Sequence, residues 1–294
     1  MTSEIRIDAL LPAEMAQRVE MIGVKKSEAK FIPMFALAIL AGAFIGLGGM
    51  FSTVAISGTM AVKTAQAGEM AFMASLPFGI IRIIAGLAFC LGLILVVVSG
   101  AELFTGNNLI AIAWASRKVT TLALLRNWTI VYIGNFFGSV ATALIIFWGK
   151  QYTFGGGSVG VTALSIANIK VNYDFLQAVA LGVMCNALVC LAVWMCFSAR
   201  SVIDKIAAII FPITAFVAAG FEHSVANMYF IPLGLIIKQF DPTFAANSGV
   251  DLANLTWSAF FIKNLLPVTI GNIIGGVFLV AIVYWIIFLR RNES

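Results

Sequence analysis

The sequence predicts an all-α membrane protein: six transmembrane helices in two inverted three-helix repeats, with the second and fifth helices broken. Three observations carry that expectation. Apolar residues make up 61% of the 294-residue chain and charged residues only 11%, with a mean hydropathy of +1.02; a soluble domain carries about 25% charged residues. Six long apolar runs follow one another along the chain. Two pairs of those runs share spaced polar motifs in the same order.

The runs cover about 32–57, 79–100, 121–149, 175–198, 206–237 and 257–289. A helix needs about 20 apolar residues to cross a bilayer. The second run continues through a polar stretch into a shorter apolar piece ending at Trp114, and the fifth is interrupted near Gly220. Both read as two half-spans around an irregular loop. Residues 1–30 are polar and charged. Leu10 to Ile22, with Pro12 near the start, reads as an amphipathic helix on the membrane surface or as a cytosolic cap. No signal peptide is expected there. Gly155-Gly156-Gly157-Ser158 reads as a flexible loop between the third and fourth runs, without the strand–helix context of a phosphate cradle. No linker divides the chain, so residues 1–294 are expected to form a single domain.

The net charge of +5 does not point to nucleic acid, because the basic residues flank apolar runs. Twelve of them (Arg6, Arg18, Lys25, Lys26, Lys30, Arg117, Lys118, Arg126, Arg200, Lys205, Arg290 and Arg291) fall on the side of the two termini. Six (Lys63, Arg82, Lys150, Lys170, Lys238 and Lys263) fall on the other. The excess of positive charge inside places both termini in the cytoplasm. Cys90, Cys185, Cys190 and Cys196 all lie in apolar segments without zinc-site spacing and read as buried thiols. No metal or other cofactor is implied.

The repeat is written in polar residues. Gly100-Ala101-Glu102, with Asn107 five residues after the glutamate, is echoed by Gly220-Phe221-Glu222 and Asn227. Arg126-Asn127, Gly134-Asn135 and Gly138 are echoed by Lys263-Asn264, Gly271-Asn272 and Gly275. Two units of three spans each must cross the bilayer in opposite senses. Inverted repeats of this kind place a site at their pseudo-symmetric centre, where discontinuous helices meet.

That centre holds the candidates. His223 is the single histidine of the chain. A buried histidine in a soluble core is usually structural, but an ionisable group inside a membrane segment marks a solute or proton path. Imidazole titrates near neutral pH and can pass a proton to a weak-acid anion. Thr105 lies at a similar depth and could bond His223, the solute or its own backbone. Glu102 and Glu222 are symmetric. They could accept backbone N–H groups freed by the breaks or bind ions; a bare negative charge beside an anion path would repel it, which favours the structural role. Phe89, Leu93, Leu103, Phe104, Phe216 and Phe221 flank the site as packing or as narrow apolar constrictions that bar hydrated ions. Lys170 is a solvated loop lysine or an attractor of anions at a pore entrance.

These motifs resemble the formate/nitrite transporter family. The resemblance rests on Gly100-Ala101-Glu102-Leu103-Phe104-Thr105, Gly134-Asn135-Phe136-Phe137-Gly138, Asn186 to Trp194, Gly220 to Met228 and Pro267 to Gly276, and it covers nearly the whole chain. It implies an aquaporin-like protomer, a homopentamer with one pore per protomer, and inner-membrane transport of small monovalent anions. It implies that Thr105 and His223 mark the central site, Lys170 the outer vestibule, Asn272 a buried pore asparagine, and Phe89, Leu93, Leu103, Phe104, Val189, Phe216 and Phe221 the apolar gates. Asn186, in one of the matching stretches, joins the structural polar residues. The long loop before the sixth span and the stretch from Asn264 to Arg290 look most like formate channels, so formate together with protons is the expected cargo. Nitrite, hydrosulfide or lactate, or a neutral solute such as water or glycerol, are the alternatives. Enzymatic readings fit poorly. A dihaem oxidoreductase or a membrane metalloprotease needs several histidines, and the adjacent Ser224 and His223 would not face each other on a helix.

Overall fold

The computed structural model describes residues 9–58 and 76–290; of the basic residues counted for orientation, Arg6, Lys63 and Arg291 lie outside the described residues. Every regular element among the described residues is helical. In chain order these are α1 (Pro12–Ser27), α2 (Phe31–Ile56), α3 (Phe78–Ser99), the short α4 (Phe104–Asn107) and α5 (Ala111–Ala115), α6 (Thr121–Trp148), α7 (Ser158–Val171), α8 (Phe175–Ser198), α9 (Val202–Ala219), α10 (Ser224–Phe240) and α11 (Pro242–Asn247). The last is the long α12 (Ala259–Phe288). Six of them, α2, α3, α6, α8, α9 and α12, are long and apolar enough to cross a membrane. At 1.5 Å per residue the 28 residues of α6 span about 42 Å, more than a hydrocarbon core of about 30 Å, so α6 is long enough to cross even at a tilt.

Both expected breaks are present. α3 ends at Gly100 and α9 at Gly220, which adopt left-handed φ of 75° and 79°. Glycine takes this conformation without a steric penalty, and it reverses the chain after a helix. The chain resumes in α4 and α10 after three extended or irregular residues.

The paired glycines of the repeat have a packing cause. A Cβ on Gly138 would overlap the carbonyl oxygen of Ile39, and one on Gly275 would overlap that of Val183. α6 thus lies backbone to backbone on α2, and α12 does the same on α8.

One feature differs from the sequence reading, and a second bears on the two alternatives it left open. The glycine run Gly155 to Gly157, all with positive φ, leads into a helix, α7, rather than forming only a loop. Val159, Ala163, Leu164, Ala167 and Val171 are buried on one face of it, at helical spacing. And α1 packs on protein. Met15, Ala16 and Val19 cluster with Leu109, Ile112 and Trp194, and a Cβ on Gly23 would come within 3.1 Å of the Ala113 Cβ. Helices α1 and α7 precede α2 and α8 by the same interval, so the repeated unit has four helical segments, not three spans alone.

Candidate functional site

The two breaks are held by one set of bonds, used twice. After Gly100, the Glu102 N–H donates to the Leu37 carbonyl at 3.2 Å; after Gly220, the Glu222 N–H donates to Leu181 at the same distance. The Asn135 amide accepts from the Phe104 N–H at 2.9 Å and donates to the carbonyls of Ala38 and Glu102 at 2.7 and 2.9 Å. The Asn272 amide accepts from the Ser224 N–H and donates to Gly182 and Glu222, all at 2.9 Å. Backbone groups freed by a broken helix must find partners where water is excluded, and each asparagine supplies three. Asn186 works beside them, donating to the carbonyls of Asn272 at 2.7 Å and Thr105 at 3.3 Å.

The glutamates do something other than the sequence suggested. Their carboxylates take side-chain partners, and the asparagines serve the backbone. Glu222 is 1% exposed and pairs with Lys170 Nζ at 2.6 Å. It also accepts from Asn227 at 2.7 Å and Asn264 at 3.1 Å. Glu102 pairs with Lys26 Nζ at 2.8 Å and accepts from Asn107 at 2.6 Å. Asn107 bonds Asn127 at 2.9 Å, and Asn227 bonds Asn264 at 2.7 Å. Asn127 and Asn264 reach back to the carbonyls of Lys26 and Lys170. The copies part at two places: Lys26 Nζ also reaches Asn107 Oδ1 at 2.9 Å, whereas Asn227 Oδ1 is buried without a partner, and Asn264 donates to Glu222 where Asn127 donates to Met34 Sδ at 3.5 Å.

Symmetry is broken at the centre. His223 occupies the place of Leu103, as the residue capping the second half-helix. Its Nδ1 accepts the Ala226 N–H at 3.0 Å, and its Nε2 lies 2.9 Å from Thr105 Oγ1. An Nδ1 that accepts carries no proton, so the neutral ring holds its proton on Nε2 and donates it to Thr105. The hydroxyl proton of Thr105 is then available to a third group. Both residues are buried, and the Phe216 ring stacks on the imidazole at 6.0 Å between centroids.

Two cavities approach this pair from opposite sides. One of about 730 Å³ lies on the α1 side, lined by Lys26, Glu102, Leu93 and Leu103. One of about 120 Å³ lies on the α7 side, lined by Lys170, Phe89, Phe216, Phe221, Glu222 and His223 itself. Of the residues expected at constrictions, Phe89, Phe216 and Phe221 therefore face one cavity and Leu93 and Leu103 the other. Phe89 and Phe216 meet edge to face at 5.6 Å. Phe104 packs edge-on to Trp128 and Tyr132 and lines neither cavity, and Val189 is likewise in the core. Asn272 holds the loop as described and lines neither cavity. Lys170 is not a free loop lysine: it is largely buried, ion-paired, and 5.5 Å from the Phe230 ring.

Lys26 escaped the sequence reading except as a positive charge. A signal was present, since Lys26 and Lys170 each stand five residues before an apolar span. Asn107, Asn127, Asn227 and Asn264 were visible as spaced repeats, with no role attached. Arg82, which donates to the carbonyls of Ala218 and Val217 at 3.0 and 2.7 Å, left no mark in the repeat.

The family model described as "Formate/nitrite transporter" matches residues 13–286. The formate channel FocA of Escherichia coli strain K12 is 41% identical over 297 residues, covering 100% of this chain and 99% of its own. FocA of Haemophilus influenzae is 40% identical, covering 91% of each. Among solved structures, a "Pentameric formate channel with formate bound" superposes with a TM-score of 0.78 at 44% identity, covering 88% of this chain and 98% of its own. An "FNT family ion channel" gives 0.76 at 25% identity, covering 93% and 98%. With its doubled break, its paired asparagines and a match along almost its whole length, the chain belongs to the formate/nitrite transporter family.

Proposed function

We propose that the chain assembles as a homopentamer in the inner membrane, both termini cytoplasmic, and that each protomer passes formate-sized monovalent anions together with a proton. The observation that carries this reading is the His223–Thr105 pair, 2.9 Å apart, set between two cavities behind apolar side chains. The pentamer and formate rest on the names of the similar proteins.

The roles follow from the chemistry. Lys170 and Lys26 sit at the two mouths, each neutralising the buried glutamate beside the path. The rings of Phe89 and Phe216 on one side, and Leu93 and Leu103 on the other, offer an anion no polar replacement for its hydration shell. Taking a bare anion into such a medium costs several kcal/mol. The Thr105 hydroxyl, freed by the Nε2–H of His223, donates to the anion at the narrowest point. A second ring proton would displace the Ala226 N–H from Nδ1. The negative charge of an arriving anion offsets that loss, and the proton then leaves with the anion as its neutral acid. The two glutamates keep their charges locked in ion pairs, so neither repels the cargo.

The test is uptake of formate, nitrite, hydrosulfide and lactate into proteoliposomes at about pH 5 and about pH 7.5, either side of the imidazole range. Formate preferred, and faster in acid, is the expected result. Preference for another of these anions would change the cargo and keep the mechanism. Free passage of water or glycerol with no anion flux would overturn the reading.

A further inference from the structure

Arg82 is a strong cation beside a break, and the internal repeat does not explain it. It stands one turn into α3, on the α7 side. Its guanidinium forks onto the last turn of α9, Nε to the Ala218 carbonyl and Nη2 to the Val217 carbonyl. It lies so close to the break that a Cβ on Gly220 would come within 2.9 Å of Nη2. It lines the same small cavity as Lys170 and His223. The equivalent place in the other copy of the motif, found by the offset that relates Gly100 to Gly220, is Val202. Among the described residues no side chain donates to the carbonyls of Val97 and Val98, the counterparts of Val217 and Ala218. Among the described residues, then, the first break forms without such a clamp.

The end of a helix carries about half a negative charge on its free carbonyls. At α9 that end faces the entrance through which an anion would reach His223. We propose that Arg82 is a positioning residue for the transported anion: it cancels the carbonyl charge of the broken α9, so that the α7-side mouth presents net positive potential to a small anion. The effect is electrostatic, passes through Val217 and Ala218, and acts at one mouth only. It rests on the anion reading above.

The test compares wild type, Arg82→Gln and Arg82→Lys in proteoliposomes, with initial formate uptake measured against concentration at low salt and at about 1 M salt, where the screening length shrinks to about 3 Å. Thermal midpoints are recorded for the same preparations. Arg82→Gln is expected to raise the half-saturating formate concentration about five-fold at low salt, with most of that difference gone at high salt. Arg82→Lys is expected to restore half-saturation, because it keeps the charge. Should Arg82→Gln fail to fold, Arg82→Lys decides: wild-type salt dependence supports the charge role, and a loss equal at both salts refutes it. A salt-independent loss in either variant, tracking a lowered midpoint, would make Arg82 a helix clamp and overturn the proposal. No formate uptake by folded wild type at any pH would instead remove the anion reading, and this inference with it.

Discussion

Lys26 and Lys170 hold equivalent carboxylates from opposite ends of the fold, Nζ standing 2.8 Å from Glu102 and 2.6 Å from Glu222. Their surroundings differ. The side chains of Lys170 and Glu222 are 14% and 1% exposed, those of Lys26 and Glu102 28% and 12%. Removing one partner of a buried pair strands the other charge at a cost of about 3–5 kcal/mol, while a solvated pair is worth about 1 kcal/mol or less. Lys170→Ala is expected to lower the thermal midpoint of the solubilised protein well beyond Lys26→Ala. Equal losses would show that burial does not set the strength of these pairs.

His223 caps α10, and in the proposed mechanism it also exchanges a proton. Asparagine caps helices as well as any residue, and loss of a cap costs about 1 kcal/mol. His223→Asn should keep near-wild-type stability, and His223→Ala should lose about that amount. Both should lose the pH dependence of formate uptake. A pH profile unchanged in either variant would remove His223 from the proton path.

Asn272 satisfies three buried backbone groups at one break and Asn135 three at the other. Each group left without a partner costs about 1–3 kcal/mol. Alanine at either position should sharply reduce the yield of folded protein in size-exclusion chromatography. Near-normal yield from Asn272→Ala would mean that water enters the break and replaces the amide.

Gly138 and Gly275 seat α6 on α2 and α12 on α8, each against a carbonyl oxygen. Forcing extra carbon into a packed interior costs about 1–3 kcal/mol. Gly138→Ala and Gly275→Ala should each lower the thermal midpoint by a similar amount, because the contacts are counterparts. A large effect from one alone would show that the two helix pairs are not mechanically equivalent.

Asp241, beyond the end of α10, accepts the Tyr152 hydroxyl at 2.7 Å and the Phe244 N–H at 3.1 Å. These bonds, the Tyr152 hydroxyl foremost, hold its carboxyl below the usual range. A depressed carboxylate adds stability above its unfolded value of about 3.9 and loses it as pH falls through the lower folded value. Tyr152→Phe should show a smaller fall of the thermal midpoint than wild type as pH drops below the unfolded carboxyl value, because it has less of this contribution to lose. Coincident curves would show that Tyr152 does not set the titration of Asp241.

Much of this fold was legible because the duplicated motifs are spelled in residues whose cost in lipid is high. Gly100 and Gly220, Asn135 and Asn272, Glu102 and Glu222 stand out from an apolar background, and their matched spacing gives the number of spans, their inversion and the two breaks. The helix α7 was not read because its glycine-rich approach resembles a loop and its polar face hides a short apolar stripe. The partners of the glutamates were not read because Lys26 and Lys170 lie about 50–75 residues before them, a distance that no local pattern bridges. Arg82 is harder still, since its role depends on carbonyls, which every residue carries alike.

Each polar network closes inside its own half of the chain. The bonds of Lys26, Glu102, Asn107, Asn127 and Asn135 stay on one side of the glycine run at 155–157, and those of Lys170, Glu222, Asn227, Asn264 and Asn272 on the other. The halves meet through packed apolar faces and many hydrogen bonds, among them Thr105 with His223, Tyr132 with Thr269 at 2.8 Å, Asn186 with the Thr105 carbonyl and Arg82 with the carbonyls of Val217 and Ala218. The proposed pathway lies between two halves that each neutralise their own buried carboxylate. A shift of one half against the other would break bonds such as those of Arg82 and Asn186 but leave Glu102 with Lys26 and Glu222 with Lys170, so the pairing of the two carboxylates does not depend on how the halves meet.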